Sequence, residues 1–147
     1  MKVVLQRVKS AKVYIEDTGT EEHIQRGIVL LCAIEKEDKD DTLKWVAQKC
    51  VNLRIFEDEN GKMNLSTLDI KGQILAISNF TVAGNTKKGR RPSFDKAELP
   101  DKAYLKFNRF LEYLKSYNLV VKTGKFGAKM LVSIENDGPV TLIVEKH

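Results

Sequence analysis

Gly27-Ile28-Val29-Leu30-Leu31-Cys32-Ala33-Ile34 is a continuous apolar run of strand length, and its reading decides the fold. A strand with one wet face alternates apolar and polar residues, whereas a run with no polar position implies cover on both faces. This run is therefore expected at the centre of a sheet. It is also far too short to span a bilayer.

On the N-terminal side of this run, residues 2–8 and 11–16 read as two short strands, the second alternating with period two and ended by a turn at Asp17-Thr18-Gly19. Met1 to Arg7 enters the strand pattern with no signal-peptide cleavage site, so a cytoplasmic location is expected. On the C-terminal side, Asp40 or Asp41 can cap a helix running slightly beyond Cys50, with Leu43, Val46, Ala47 and Cys50 on one face. Trp45 lies off that stripe and is expected against a loop. Leu53-Arg54-Ile55-Phe56 begins a strand closed by the hairpin signal Asn60-Gly61, and Leu65, Leu68 and Ile70 punctuate a looser segment.

Gln73 to Phe80 is the next strong strand. From Ala83 to Pro100 the chain is polar, basic and broken by glycine and proline, the composition of a long surface loop; loops of that length are usually functional or disordered. From Asp101 to about Tyr117, Ala103, Phe107, Phe110, Leu111 and Leu114 recur at helical spacing. Leu119 to Val121, Met130 to Ile134 and Val140 to Val144 are the remaining strand candidates. The Asn136-Asp137-Gly138-Pro139 stretch between the last two has two readings. An Asp-Gly pair between apolar runs signals a hairpin turn. Alternatively Gly138, with no side chain, and Pro139, with no amide hydrogen, present bare carbonyl oxygens to a ligand.

These elements sum to an α+β fold: a strand-rich, mainly antiparallel, barrel-like β structure with two helices, in a single domain over residues 1–147. Hydrophobic residues at 42% and charged residues at 31% fit a soluble globular chain. The net charge of +5 and sequence pI of 9.1 favour an anionic partner, and the excess is uneven. Lys87, Lys88, Arg90 and Arg91 crowd around Gly89, and Lys122, Lys125 and Lys129 form a second group. Cys32 and Cys50 lack metal-type spacing and read as buried free thiols.

Most catalytic constellations are excluded by residue type. The only histidines are His23, beside a turn, and His147, at the end of the chain, which leaves no base for a histidine triad. No two-histidine or Cys-x-x-Cys ligand pattern and no G-x-x-x-x-G-K loop occurs, so neither metal nor cofactor is expected. The remaining corner is Ser78-Asn79-Phe80-Thr81, where a strand runs into the basic loop. These are also ordinary strand-end residues, and without a base neither hydroxyl is an activated nucleophile. Chemistry here would rest on fixed backbone donors stabilising an oxyanion.

Five motifs carry a resemblance: Gln6-Arg7-Val8, Ser78-Asn79-Phe80-Thr81-Val82, Gly89-Arg90-Arg91-Pro92-Ser93-Phe94, Phe126-Gly127-Ala128-Lys129-Met130 and Asn136-Asp137-Gly138-Pro139-Val140-Thr141. In this order and over the whole chain, the sequence resembles the D-aminoacyl-tRNA deacylases. The resemblance implies a homodimer that hydrolyses the ester joining a D-amino acid, or wrongly attached glycine, to the 3′ end of tRNA. It implies a cis Gly138-Pro139 bond reaching into the partner's site, where its carbonyls hold the amino group and exclude an L side chain. It assigns catalysis to Ser78, Asn79, Phe80 and Thr81, with the amides near Phe80 and Thr81 facing the ester carbonyl. The proton work falls either to the Thr81 hydroxyl or to the 2′-hydroxyl of the terminal adenosine; the scarcity of bases favours the second. Phe126 and Met130 would pack around the adenine and Arg7 would brace the Gly-Pro loop, although core or surface roles serve equally for each.

The family usually has glutamine and leucine where this chain has Asn79 and Val82, which puts any contact of the shorter amide in question. The expected partners are charged tRNA and a second copy of the chain, with no membrane and no DNA. Two rival readings remain: a non-catalytic RNA-binding module using Lys87 to Arg91, and a small-ester or peptide hydrolase with Thr81 as nucleophile.

Overall fold

The computed structural model describes residues 1–147, and the expected central run is β3, Gly27–Ala33. It pairs antiparallel with β1 (Lys2–Ile15) on one edge and parallel with β6 (Gln73–Ser78) on the other. Both faces are covered. Ile28, Leu30 and Cys32 join Ile74 and Ala76 in a core with α1 (Asp40–Asn52) and α3 (Pro100–Lys115). Val29 joins Leu75 and Ile77 in a smaller core on the opposite face. Gly27 opens the strand because β6 passes so close that an added Cβ would collide with the Gln73 backbone.

The six-stranded sheet runs β2 (Thr20–Ile24), β1, β3, β6, β7 (Val121–Thr123), with β8 (Met130–Glu145) against β1, and it curls barrel-like with one seam. β2 and β3 share one edge of β1: β2 takes residues 11–15 and β3 takes residues 2–8. Four of the six strand pairings are antiparallel, counting the separate hairpin of β4 (Arg54–Glu57) and β5 (Met63–Ser66). Both expected long helices are present, together with a one-turn helix α2 (Thr67–Ile70) and a 3-10 turn at Phe80–Ala83. None of the helices is long and apolar enough to cross a membrane.

Several expectations need correction. The two short strands at the N-terminus are one continuous strand. Its inward parity changes because Lys9 is an extra residue between the pairs Val8↔Asn136 and Ser10↔Glu135, so Val3 and Leu5 face the helices while Ala11 and Val13 face away. The two C-terminal strands are likewise one, and residues 136–140 are not a hairpin. β8 pairs with β1 on both sides of them, and the chain between Asn136 and Thr141 loops out of the ladder where β1 supplies only Arg7. β2 carries no strand signal in the sequence, β6 stops at Ser78 rather than Phe80, and the short strand near residue 120 begins at Val121. Lys39, not an aspartate, is the N-cap of α1, and Asp40 and Asp41 lie in the first turn, where their charge suits the helix dipole. Trp45 is partly exposed, with the ammonium groups of Lys49 and Lys146 5.1 and 5.2 Å from its ring centre.

Candidate functional site

The chain leaves the ends of β3 and β6 side by side, and beyond them the α3 N-terminus and the 84–99 loop enclose an apolar cavity of about 600 Å³. Its floor is Leu31 and Ile77, with Met130 and Val132 of β8 alongside; Ser78, Asn79 and Phe80 form one rim and Phe126 with Gly127 another. Phe126 is fixed by edge-on packing against Tyr104, 5.4 Å between ring centres, and by Phe107 of α3 at 6.3 Å. Phe80 is 55% exposed and meets Phe94 edge-on at 5.2 Å.

Five of the residues singled out in the sequence thus share one cavity: Ser78, Asn79, Phe80, Phe126 and Met130. Thr81 stands just outside the lining. Its hydroxyl donates to Asn79 Oδ1 at 2.5 Å, so the short amide that replaces glutamine is turned back onto its own turn. Asn79 N donates to the Cys32 carbonyl at 2.7 Å, and Val82 N to the Asn79 carbonyl at 3.2 Å, starting the 3-10 turn. Phe80 and Thr81 are the first two residues of that turn, where an amide has no acceptor within the turn itself.

Gly138 and Pro139 do not line this cavity; they stand on the loop of β8, and their peptide bond is cis. Two side chains build the loop. Asn136 closes its base: Val140 N donates to Asn136 Oδ1 at 2.8 Å, and Asn136 Nδ2 donates to Thr141 Oγ1 at 2.9 Å. Arg7, only 6% exposed, donates from Nε to the Asp137 carbonyl at 2.8 Å and from Nη1 to the Ile55 carbonyl at 2.7 Å. Gly138 has φ +137°, and an added Cβ would lie 2.9 Å from Val140 Cγ2 and 3.1 Å from Arg7 Nη2. The family model for D-Tyr-tRNA(Tyr) deacylase matches residues 4–145, the span that holds both the cavity and this loop.

The chain belongs to that family. It is 50% identical to the D-aminoacyl-tRNA deacylase of Thermosipho africanus over 99% of this chain and 97% of the relative. It is 53% identical to the D-aminoacyl-tRNA deacylase of Bacillus cytotoxicus, with 99% of each chain covered. Among solved structures it is similar to a c-Myc DNA unwinding element binding protein, with TM-score 0.92 and 41% identity over 100% of this chain and 99% of that one. A probable eukaryotic D-amino acid tRNA deacylase shares the fold alone, with TM-score 0.84 at 16% identity over 97% of each chain. By membership the deacylase is a hydrolase acting on ester bonds.

Sequence reasoning missed the wall contributed by the loop and α3. Phe94 ends one of the five motifs without a role of its own there, and it lines the cavity. Glu98 also lines it and is the lining's one charged residue; its side chain is 8% exposed, and the Lys106 ammonium 2.8 Å away holds the carboxyl below its usual range. A carboxylate three positions before a helical run is a weak signal, and only the fold turns it toward the cavity. Neither His23 nor His147 lines the cavity.

Proposed function

We propose that this enzyme hydrolyses the ester between tRNA and a D-amino acid, or glycine wrongly attached, as a cytoplasmic editing step that spares L-aminoacyl-tRNA. The observation that carries the reading is the pair of amides at Phe80 and Thr81. They open a 3-10 turn whose first residue, Phe80, lines the apolar cavity and whose second stands just outside it, a donor pair of the kind that stabilises an oxyanion. The aromatic rim at Phe126 and the flexible Met130 suit the terminal adenine. Water attacks the ester carbonyl, the carbonyl oxygen takes the negative charge beside these amides, and the bond to the 3′-oxygen breaks. The 2′-hydroxyl of the adenosine relays the proton from the attacking water to that leaving oxygen. The Thr81 hydroxyl is already donated to Asn79, which supports leaving it out of the proton path.

In this reading a homodimer places Gly138 and Pro139 of one protomer in the other's cavity, where their carbonyls hold the substrate amino group and collide with an L side chain. Two features support it. The loop is rigidly held by Arg7 and Asn136 yet absent from the lining of its own cavity. β8 also pairs on one edge only and exposes Leu131 and Ile143, each 61% exposed, an apolar strand edge that calls for cover.

The test is release of tyrosine from D-tyrosyl-tRNA and L-tyrosyl-tRNA by the purified protein. Cleavage of the D ester alone is the expected result, and equal rates on both overturn the gate. Sedimentation should give twice the chain mass. Salt-sensitive tRNA binding without ester cleavage would instead favour the RNA-binding module.

A further inference from the structure

The chain carries two basic clusters, and the structure separates them. Lys122, Lys125 and Lys129 each face a carboxylate: Glu22 at 4.0 Å, Asp17 at 2.8 Å and Glu16 at 3.7 Å. Lys87, Lys88, Arg90, Arg91 and Lys96 are exposed and Lys2 is half-buried, and none of the six has a carboxylate within ion-pair distance. On the 84–99 loop the only carboxylate without an ion-pair partner is Asp95, so the unneutralised cations outnumber it and raise a positive local potential that a polyanion feels.

The loop that carries them is built to hold a position. Asn85 and Ser93 exchange two backbone hydrogen bonds of 2.7 and 2.9 Å across its base, and Lys87 N donates to Asn85 Oδ1 at 2.9 Å. Gly89, at φ +62° with open space around it, makes the turn at the tip. The base is locked to the cavity rim, because Phe94 packs on Phe80 and an added Cβ on Gly84 would lie 2.9 Å from the Phe94 ring. Behind the loop a polar depression of about 260 Å³ holds Lys87, Lys96 and Lys2. Of its two carboxylates, Glu35 lies 3.1 Å from the Met1 ammonium, and Glu145 lies 3.4 Å from a ring nitrogen of His147.

We propose that Lys87, Lys88, Arg90 and Arg91, with Lys96 and Lys2 behind them, form a phosphate-binding rim that receives the sugar-phosphate backbone of the tRNA acceptor end as its terminal nucleotide enters the cavity. The inference rests on the deacylase reading and adds to it the surface that distinguishes a whole tRNA from its last nucleoside. Phosphate contacts position a nucleic acid without reading its sequence, so the rim serves any tRNA of this geometry. The paired lysines of the second cluster take no part.

The test compares D-tyrosyl-tRNA with 3′-O-D-tyrosyl-adenosine, which lacks the backbone, as the salt concentration is raised. The variant is Lys87→Gln/Lys88→Gln/Arg90→Gln/Arg91→Gln, and the control is Lys122→Gln/Lys125→Gln/Lys129→Gln. For wild type, kcat/KM on the tRNA should fall steeply with salt while the adenosine ester is nearly indifferent. In the variant, kcat/KM on the tRNA should drop about tenfold or more, chiefly in KM, with the log–log salt slope reduced by about 0.7 to 0.9 for each phosphate the loop no longer neutralises. Activity on the adenosine ester should be unchanged, and the control should behave as wild type. An unchanged slope in the variant, equal losses on both substrates, or an equal loss in the control overturns the rim. If wild type cleaves neither substrate, the deacylase reading falls. Filter binding of D-tyrosyl-tRNA then decides the rim alone: salt-sensitive binding lost in the variant supports it, and binding retained in the variant overturns it.

Discussion

Arg7 donates to the Asp137 carbonyl at 2.8 Å across 130 residues of sequence, so a buried guanidinium on the first strand sets the position of a loop on the last. Its other arm holds the Ile55 carbonyl of β4 at 2.7 Å, which makes Arg7 a tie between the Gly-Pro loop and the hairpin beside it. Lysine has the charge but not the planar fork, and cannot make both bonds in this geometry. Arg7→Lys should therefore fold and lose activity, about tenfold or more, as expected when a positioned group shifts by about an ångström. Arg7→Ala should also lose about 2 kcal/mol of stability, because two carbonyls are left without a charged donor. Urea titration with activity at matched folded fraction checks both, and full activity in Arg7→Lys would detach the loop from the reaction.

Gly138→Ala tests the same loop from inside. At φ +137° a side chain is disfavoured, and its Cβ would lie 2.9 Å from Val140 Cγ2 and 3.0 Å from Val140 N. The backbone conformation alone costs about 1–3 kcal/mol. The expected outcome is a folded but less stable protein with a large loss of deacylation. Measurement of both esters is informative, since a displaced gate should cut the D rate and narrow the difference between D and L. An unimpaired variant with full discrimination would sink the gate.

Asn136→Ala removes the clasp at the base of the loop and leaves Val140 N without its 2.8 Å acceptor. A backbone donor stripped of its partner costs about 1–3 kcal/mol where water cannot replace it. Amide hydrogen exchange should report the change as faster exchange at Asp137, Gly138, Val140 and Thr141 with the central strands unaffected. Uniform protection across the loop would show that Arg7 holds it unaided.

Much of the fold was legible because burial dictates pattern. β3 is apolar at every position since both its faces are covered, and α3 repeats at helical spacing since one stripe meets the core. The failures are equally physical. The bulge at Lys9 reverses the parity of β1, so one strand reads as two, and β2 buries only Ile24, which leaves no alternation to detect. The hairpin reading of residues 136–140 failed because a local turn signal cannot reveal that β1 resumes pairing on the far side. The cavity was half legible: the rim residues sit in motifs, whereas Leu31, Ile77 and Ala103 are ordinary core residues until the fold aligns them.

Both thiols should be silent in the native protein. Cys32 and Cys50 are fully buried, and burial pushes Cys50 up to about 12 and Cys32 well above the ordinary thiol range, with each protonated form favoured. A thiol-disulfide reagent at neutral pH should modify neither until denaturant is added, then both. Because the folded-state values are raised, this contribution to stability is full below the ordinary thiol pKa. It is lost as pH rises from there toward about 12, since only the unfolded thiols ionise in that window. Alkaline denaturation of a Cys50→Ala variant should show a shallower loss with pH; an identical slope would mean that other groups set it.

The division of labour at the rim is decided by one substitution and one substrate. Thr81→Val keeps the shape and the backbone amides and removes the hydroxyl that donates to Asn79 at 2.5 Å. If those amides hold the oxyanion and the terminal adenosine moves the proton, Thr81→Val should stay within about fivefold of wild type. Losing a positioned proton-transfer group typically costs about 10²- to 10⁴-fold, and that loss should fall on D-tyrosyl-tRNA ending in 2′-deoxyadenosine instead. Single-turnover rates separate this from binding, because the shape of the turn and the cavity wall are untouched in both experiments. The opposite pattern, a dead Thr81→Val variant that leaves the deoxy substrate fully cleavable by wild type, would make the threonine hydroxyl the reacting group and remove the substrate from its own proton path.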